Sequence, residues 1–498
     1  MECRVLIDGK WRNASSGKQD DIRNPATGDL IAHVPHCSRE DTRSAIDAAR
    51  DSFLRGKWSR LTPGDRAHAL LLFAERIEAE TIPLAKLESG NQGKTIRLSQ
   101  FSDLPFSVDN VRFFAGAARV LEGTASQEYW PGGTSIVRRE PVGVVASIAP
   151  WNYPLMIAVW KITPALAAGN SVVLKPAGIT PLTALELGRL SQDAGIPDGV
   201  LNIVTGPGSE VGQTLAESPD IDLISLTGGT ETGSTLMVSA GKTLKRVHLE
   251  LGGKAPFIVF DDADLDAAST GAMVGALVNG GQDCTAACRI IVHESVHDKF
   301  TKLLVEKTKR IRIGNPLDRN TDLGPLVSEG HLEKVRLYIE SGKEEGAKVL
   351  YEGGPPSDPK LAKGFFQPPV IFDDCSQDMR IIQEEIFGPV MALQTFSKDE
   401  EALEMANGVV QGLYSSVWTK DVRRAINFAN MLEFGTVCVN DHLPLASEMP
   451  HGGFKRSGFG KDLSKYGLEE YTRIKHVFID LEGKVDKSWH YVVHVPEQ

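Results

Sequence analysis

Apolar positions along the chain fall into short continuous runs separated by helical patterns. Between residues 142 and 260 the runs are 142–148, 171–174, 200–204, 221–226, 246–251 and 255–260. A buried helix is predicted over 154–168, closed by Gly169-Asn170. A second carries Thr180 as N-cap, Pro181 at its first position and Gly195 just past its end. Strands apolar on both faces and alternating with helices predict a parallel sheet covered on each side. Ligands on such sheets bind beyond the carboxyl ends of the strands.

The flanking regions are patterned differently. Residues 4–35 alternate strand-like pieces with turns, and helical spacing then runs over 38–54, 62–87 and 106–120. Tyr129-Trp130-Pro131-Gly132-Gly133 reads as a turn before a strand at 134–139. A second α/β series spans 262–436, with helices at 265–278, 295–310, 330–342 and 399–406 and strands at 289–293, 370–372 and 435–439. Residues 440–461, rich in Gly, Pro and His, read as loop, and 475–498 as a strand-like tail.

Composition narrows the class. The 498 residues are 41% hydrophobic and 24% charged, ordinary for a soluble enzyme with more than one core. A net charge of −11 without a Lys/Arg-rich run argues against a nucleic-acid partner. The cysteines, at 3, 37, 284, 288, 375 and 438, are too scattered for a disulfide framework, and none joins a histidine in a zinc pattern, so no metal is expected. The N-terminus lacks a signal-peptide core and no apolar run spans a bilayer, predicting a cytoplasmic protein without a membrane partner.

Candidate chemistry centres on Asn279-Gly280-Gly281-Gln282-Asp283-Cys284, a glycine-loosened loop between a buried helix and a strand. A thiol there is rigidly held yet reachable, as a nucleophile requires; a small buried hydrophobe is the ordinary alternative. Glu250-Leu251-Gly252-Gly253 sets a carboxylate at a strand end beside two glycines. Asn152, in Pro150-Trp151-Asn152-Tyr153-Pro154, is a fixed amide suited to an oxyanion hole, or a helix cap. Lys175 follows a buried strand at the expected ligand edge. Gly206-Pro207-Gly208 and Thr227-Gly228-Gly229-Thr230 are glycine turns opening helices, where phosphates bind, although neither forms a dinucleotide fingerprint. Glu384-Glu385-Ile386-Phe387-Gly388-Pro389 could hold a ribose and stack a ring, or simply turn the chain.

In order, WNYP, LKPA, LTGGTETG, LELGGK, GGQDCTAACR, EEIFGPV and GGFKRSGFGK resemble the aldehyde dehydrogenase superfamily, over nearly the whole chain from Val5 to about Val477. The resemblance implies a Rossmann-like parallel-sheet cofactor domain (1–121 and 141–252), an α/β catalytic domain (253–452) and a small β oligomerisation region with the tail (122–140 and 453–498). It implies Cys284 as nucleophile, Asn152 with the Cys284 N–H as oxyanion donors, and Glu250 as the base that activates water. Lys175 is then the adenosine-ribose ligand and Glu385 the nicotinamide-ribose ligand, with Phe387 beside the ring. Ile148, Trp151, Gly208, Gly212, Thr227, Gly228, Gly229, Thr232 and Leu251 lie along the cofactor path. The cofactor implied is NAD, and the assembly a homodimer or homotetramer. Gly178 stands where many NAD-preferring members carry Glu, which predicts tolerance of NADP. The nucleophile segment and Ala446 to Gly453 look like the 4-aminobutyraldehyde branch. Asp283, Asp441 and Glu448 are the expected ammonium partners, and Tyr153, Trp160 and Phe459 an aromatic wall. Betaine aldehyde or a broad aliphatic range is the alternative. Succinate semialdehyde is disfavoured by the lack of an Arg pair, and a CoA-acylating reaction by Glu250.

Overall fold

The computed structural model describes residues 1–123 and 125–493. Two large sheets organise the chain. The first has eight strands; its parallel centre runs Leu201–Ile203, Ser171–Lys175, Val144–Ile148, Leu223–Gly228 and Arg246–Leu251. Short antiparallel strands, Val5–Ile7 with Lys10–Arg12 and Gly458–Phe459, cap its edges. The central strands are buried on both faces, as near-continuous apolar runs require. The helix Pro154–Ala168, buried along its whole length, packs on this sheet, and its C-cap Gly169 is left-handed (φ 98°).

The second sheet has seven strands, in the order Lys348–Glu352, Val370–Asp373, Val390–Phe396, Arg289–His293, Pro256–Val259, Tyr414–Trp418 and Thr436–Val439. All pairings are parallel except that of the edge strand Lys348–Glu352. A three-stranded antiparallel sheet joins Thr472–Asp480, Gly133–Pro141 and Ser126–Trp130. Ile474, Phe478, Ile479, Tyr129 and Trp130 are exposed on it. Among the described residues no helix is long and apolar enough to cross a membrane, and no His/Cys/Asp/Glu group could hold a metal ion.

Several sequence expectations shift. The helix expected over 62–87 is two, Pro63–Ala79 and Thr81–Gln92; the Thr81 hydroxyl donates to the Glu78 carbonyl at the break, while the apolar spacing continues across it. Thr180 does not cap the next helix: its hydroxyl donates to the Trp151 carbonyl, and the helix begins at Leu182, whose N–H is met by Asn91. Tyr129 and Trp130 end a strand, leaving Pro131-Gly132 as the turn. The strand Tyr414–Trp418 escaped sequence reading because two buried serines interrupt its apolar run; Ser415 bonds the Thr436 carbonyl and Ser416 the His442 ring. The tail strand ends at Asp480, and a short 3₁₀ helix follows over Ser488–Val492. Residues 494–498 of the expected tail lie outside the described residues.

Candidate active site

In the first sheet the chain runs outward from Val144–Ile148 through Ser171–Lys175 to Leu201–Ile203. It then returns to place Leu223–Gly228 on the other side of Val144–Ile148. This reversal is a topological switch point, where a crevice opens beyond the strand ends. Ile148 ends one flanking strand, leading to Pro150-Trp151-Asn152, and Thr227-Gly228 ends the other. Pro150, Trp151, Asn152, Thr227 and Gly228, with Gly229, Leu251, Cys284, Glu385 and Phe387, line a cavity of about 250 Å³; Ile148 stands behind them without lining it. Helix Thr230–Gly241 starts at Gly229 with no side chain capping its first N–H groups, which leaves them for an anion. Thr232 lies in its first turn.

On the opposite side a larger cavity, about 570 Å³, also reaches Cys284 and Thr227 and includes Glu250. Cys284 therefore forms the partition between two chambers. Its position is set by three consecutive left-handed residues, Asn279 (φ 51°), Gly280 (φ 69°) and Gly281 (φ 70°). Asn is among the few non-glycine types that adopt this conformation readily. At Gly281 a Cβ would stand 2.2 Å from the Gly388 carbonyl oxygen, so only glycine fits. The Asn279 amide donates to the carbonyls of Asn152 (2.8 Å) and Gln282 (3.2 Å), tying the loop to the oxyanion candidate. The Asn152 amide donates one hydrogen to the Gln282 carbonyl at 3.1 Å; an amide nitrogen carries a second. Gly252 and Gly253 allow close approach from the other side: a Cβ would lie 2.2 Å from Glu385 Oε2 at the first and 2.1 Å from the Cys284 carbonyl at the second.

The electrostatics separate the roles. Burial, then Asp283, Glu250 and Glu385, hold the Cys284 pKa well above that of an ordinary thiol, so a base must take its proton as it reacts. Both oxygens of Glu250 are engaged: the Gly453 N–H donates to Oε1 (3.2 Å) and His451 Nε2 stands 3.0 Å from Oε2. Asp283 Oδ2 accepts from the Tyr153 hydroxyl at 2.7 Å, and Oδ1 from the Thr285 N–H and hydroxyl. Glu385 accepts from the Gly253 N–H at 2.9 Å, and its burial raises its pKa. Lys175 is buried, among the described residues its ammonium meets only the Pro176 carbonyl at 3.2 Å, and burial lowers its pKa to about 8. A buried carboxylate and an under-partnered lysine at the crevice suit the hydroxyls of two riboses, so the residues fit a dinucleotide.

The structure gathers Cys284, Glu250 and Asn152 around one partition. Gly178, Gly208 and Gly212 lie with Lys175 at the neighbouring strand ends: a Cβ on Gly212 would contact Lys175 at 3.9 Å, and one on Gly178 the Gly206 carbonyl at 3.7 Å. Tyr153, Trp160, Asp283 and Glu448 line the larger chamber. Asp441 and Phe459 do not. Asp441 is exposed and accepts from the His442 N–H, while Phe459 is 46% exposed on the edge strand paired with Leu249. Sequence reading missed Asp109 and Phe106 on helix Leu104–Arg119, and His331 and Lys334 beside Phe387. A lone acid on an amphipathic helix gives no local signal. His331 Nε2–H donates to the Phe387 carbonyl (2.7 Å), its ring packs on Trp151, and burial lowers its pKa to about 4.

A doubly chambered cysteine at the switch point of a parallel sheet, flanked by an amide and a carboxylate, marks a dinucleotide-dependent enzyme. The chain belongs to the aldehyde dehydrogenase family, whose model matches residues 11–477; it is an NAD(P)-dependent oxidoreductase. It is 46% identical to betaine aldehyde dehydrogenase of Bacillus subtilis (strain 168), over 96% of this chain and 97% of that one. Among solved structures it superposes on betaine aldehyde dehydrogenase from Staphylococcus aureus in complex with NAD+ (TM-score 0.95, 40% identity, 97% and 96% of the two chains). A putative aldehyde dehydrogenase from Burkholderia cenocepacia gives TM-score 0.95 at 41% identity over 98% and 99%.

Proposed function

We propose that the protein oxidises a cationic ω-aminoaldehyde, with 4-aminobutanal as the reference substrate, to the carboxylic acid. The observation that carries this is the wall of the larger chamber. Asp103, Asp109, Glu250, Asp283, Glu448 and Asp462 contribute carboxylates to it, and among the described residues it holds no lysine or arginine. Phe101, Phe106, Tyr153 and Trp160 supply ring faces. Lys94 offsets Asp103 (2.6 Å) and Lys161 offsets Asp462 (2.9 Å), but among the described residues Asp109 meets only Asn110-bound Ser447 and Glu448 is exposed, so acceptors remain at the mouth. Betaine aldehyde is the second reading, favoured by the Bacillus subtilis relative.

In this reading Cys284 sulfur bonds to the aldehyde carbon as its proton leaves for a nearby base. The oxyanion is met by the Asn152 amide and the Cys284 N–H, an arrangement worth about 3 kcal/mol per donor. NAD, present in the solved relatives, supplies the hydride acceptor when bound, with NADP tolerated because position 178 is glycine. Lys175 and Glu385 hold the two riboses, and Trp151, Phe387 and the Gly228-Gly229 turn order the path between them. The resulting thioester is hydrolysed by water: Glu250 takes one proton, the oxygen bonds to the carbonyl carbon, the C–S bond breaks and the acid is released. The exposed apolar residues of the three-stranded sheet support assembly as a homodimer or homotetramer.

The test is cofactor reduction with 4-aminobutanal, betaine aldehyde, butanal and succinate semialdehyde, with and without CoA. Expected is kcat/KM for 4-aminobutanal at least tenfold above butanal, no CoA dependence, and no turnover by Cys284→Ala. Equal kcat/KM for butanal and 4-aminobutanal would refute the cationic site; betaine aldehyde at the top would select the second reading.

A further inference from the structure

His451 is buried with Glu250, each 2% exposed. Its Nε2 lies 3.0 Å from Glu250 Oε2, while its Nδ1 is buried without a partner among the described residues. A neutral ring protonated at Nε2 fits this: the hydrogen goes to Glu250 and only a lone pair is left unmet. Two contacts fix the ring. It meets the Trp160 ring in an edge-to-face contact with centroids 5.5 Å apart, and its main chain is bridged both ways to Asp462, His451 N–H to Asp462 carbonyl at 2.9 Å and the reverse at 2.7 Å. Sequence reading gave this histidine no function.

We propose that His451 is a positioning residue for the general base: its Nε2–H orients the Glu250 carboxylate for water. The inference rests on the reading of Glu250 as the base for thioester hydrolysis. With the His451 ring neutral, Glu250 is oriented and basic. With one proton added, an imidazolium clamps the carboxylate and deacylation stops. Burial disfavours the imidazolium, but Glu250 first, then Asp462 and Asp283, outweigh it and raise the His451 pKa. Lys161, 2.9 Å from Asp462, and Lys461, which faces Glu250, are the cations of the surroundings; burial keeps His248, 3.8 Å from Asp462, neutral. The His451 ring therefore holds its added proton to a higher pH than an ordinary imidazole, and kcat falls as pH falls through that value.

The experiment compares wild type, His451→Phe, His451→Gln, Glu250→Gln and the Glu250→Gln/His451→Phe double variant, by stopped-flow burst of cofactor reduction, steady-state kcat and KM, and the pH profile of kcat. Phe should lower kcat at least tenfold while leaving the burst and holding KM within threefold, because acylation does not need the contact. Gln, which keeps an N–H near Nε2 without titrating, should recover kcat to within threefold of wild type and move the acid limb at least one pH unit lower. In the Glu250→Gln background, Phe should add no further loss. An acid limb unmoved in His451→Gln overturns the proposal, including when His451→Phe does not fold. So does a Phe variant that loses burst and KM together without rescue by Gln, since that describes packing alone. Glu250→Gln with wild-type steady-state turnover would overturn the base assignment itself, and the role of His451 with it.

Discussion

Gly253→Ala tests how closely the active-site loops are fitted. A Cβ at this position would lie 2.1 Å from the Cys284 carbonyl oxygen and 3.3 Å from the Leu413 side chain. Carbon and oxygen do not approach closer than about 3 Å, so one of the two main chains must retreat by about 1 Å. Neither has room. The Gly253 N–H is anchored on Glu385 at 2.9 Å, and the loop bearing Cys284 is pinned by the Asn279 and Asn152 amides and by Gly281 against Gly388. A displacement of about 1 Å at a reacting group costs about 100-fold in rate, or about 2.7 kcal/mol of barrier. Overpacking adds a stability loss of about 1–3 kcal/mol. The assay is the pre-steady-state acylation rate, with alkylation of Cys284 by iodoacetamide as a cofactor-free readout. Gly90→Ala is the control, because nothing stands within 4 Å of a Cβ in that helix. It should leave the rate unchanged. An acylation rate in Gly253→Ala within threefold of wild type would refute the fitted-loop argument.

Other outcomes follow from the same geometry. Lys175→Met should raise the Kd for NAD about 10-fold, the loss of one hydrogen bond from a charged donor, read by quenching of tryptophan fluorescence. Because burial lowers the Lys175 pKa to about 8, the unfolded chain binds the extra proton between pH 8 and 10.5; stability contributed by this site should rise with pH across that window and be lost below it, a trend absent in Lys175→Met by thermal unfolding. Wild type should prefer NAD over NADP by less than about a thousandfold, and Gly178→Glu should widen the ratio of kcat/KM at least tenfold. Phe478→Asp, placed on the exposed face of the three-stranded sheet, should shift the protein toward monomer in light-scattering chromatography.

The legible parts of the chain were those where local pattern and tertiary role coincide. Apolar runs on doubly covered strands announced the first sheet, and Pro154–Ala168 and Arg246–Leu251 match their predicted limits. The strand Tyr414–Trp418 was hidden because its serines satisfy themselves through partners distant in sequence. Cys284, Glu250 and Asn152 were identified by ordered motifs, not by their individual surroundings, each of which admitted a bland alternative. Asp109 is unreadable by position alone: it matters only because helix Leu104–Arg119 happens to border the larger chamber. Phe459 misled for the opposite reason. An aromatic near the family-like loop read as part of a cation-binding wall, yet it lies on an edge strand and remains exposed.

Because Cys284 is reached from two separate chambers, traffic through the enzyme need not follow a single doorway. Under the proposed function an aldehyde arrives, and its acid departs, through the acidic mouth, while the dinucleotide exchanges across the crevice behind the sulfur. Each product then competes only with its own precursor. Inhibition by the acid should be relieved by more aldehyde and indifferent to NAD, and inhibition by reduced cofactor the reverse.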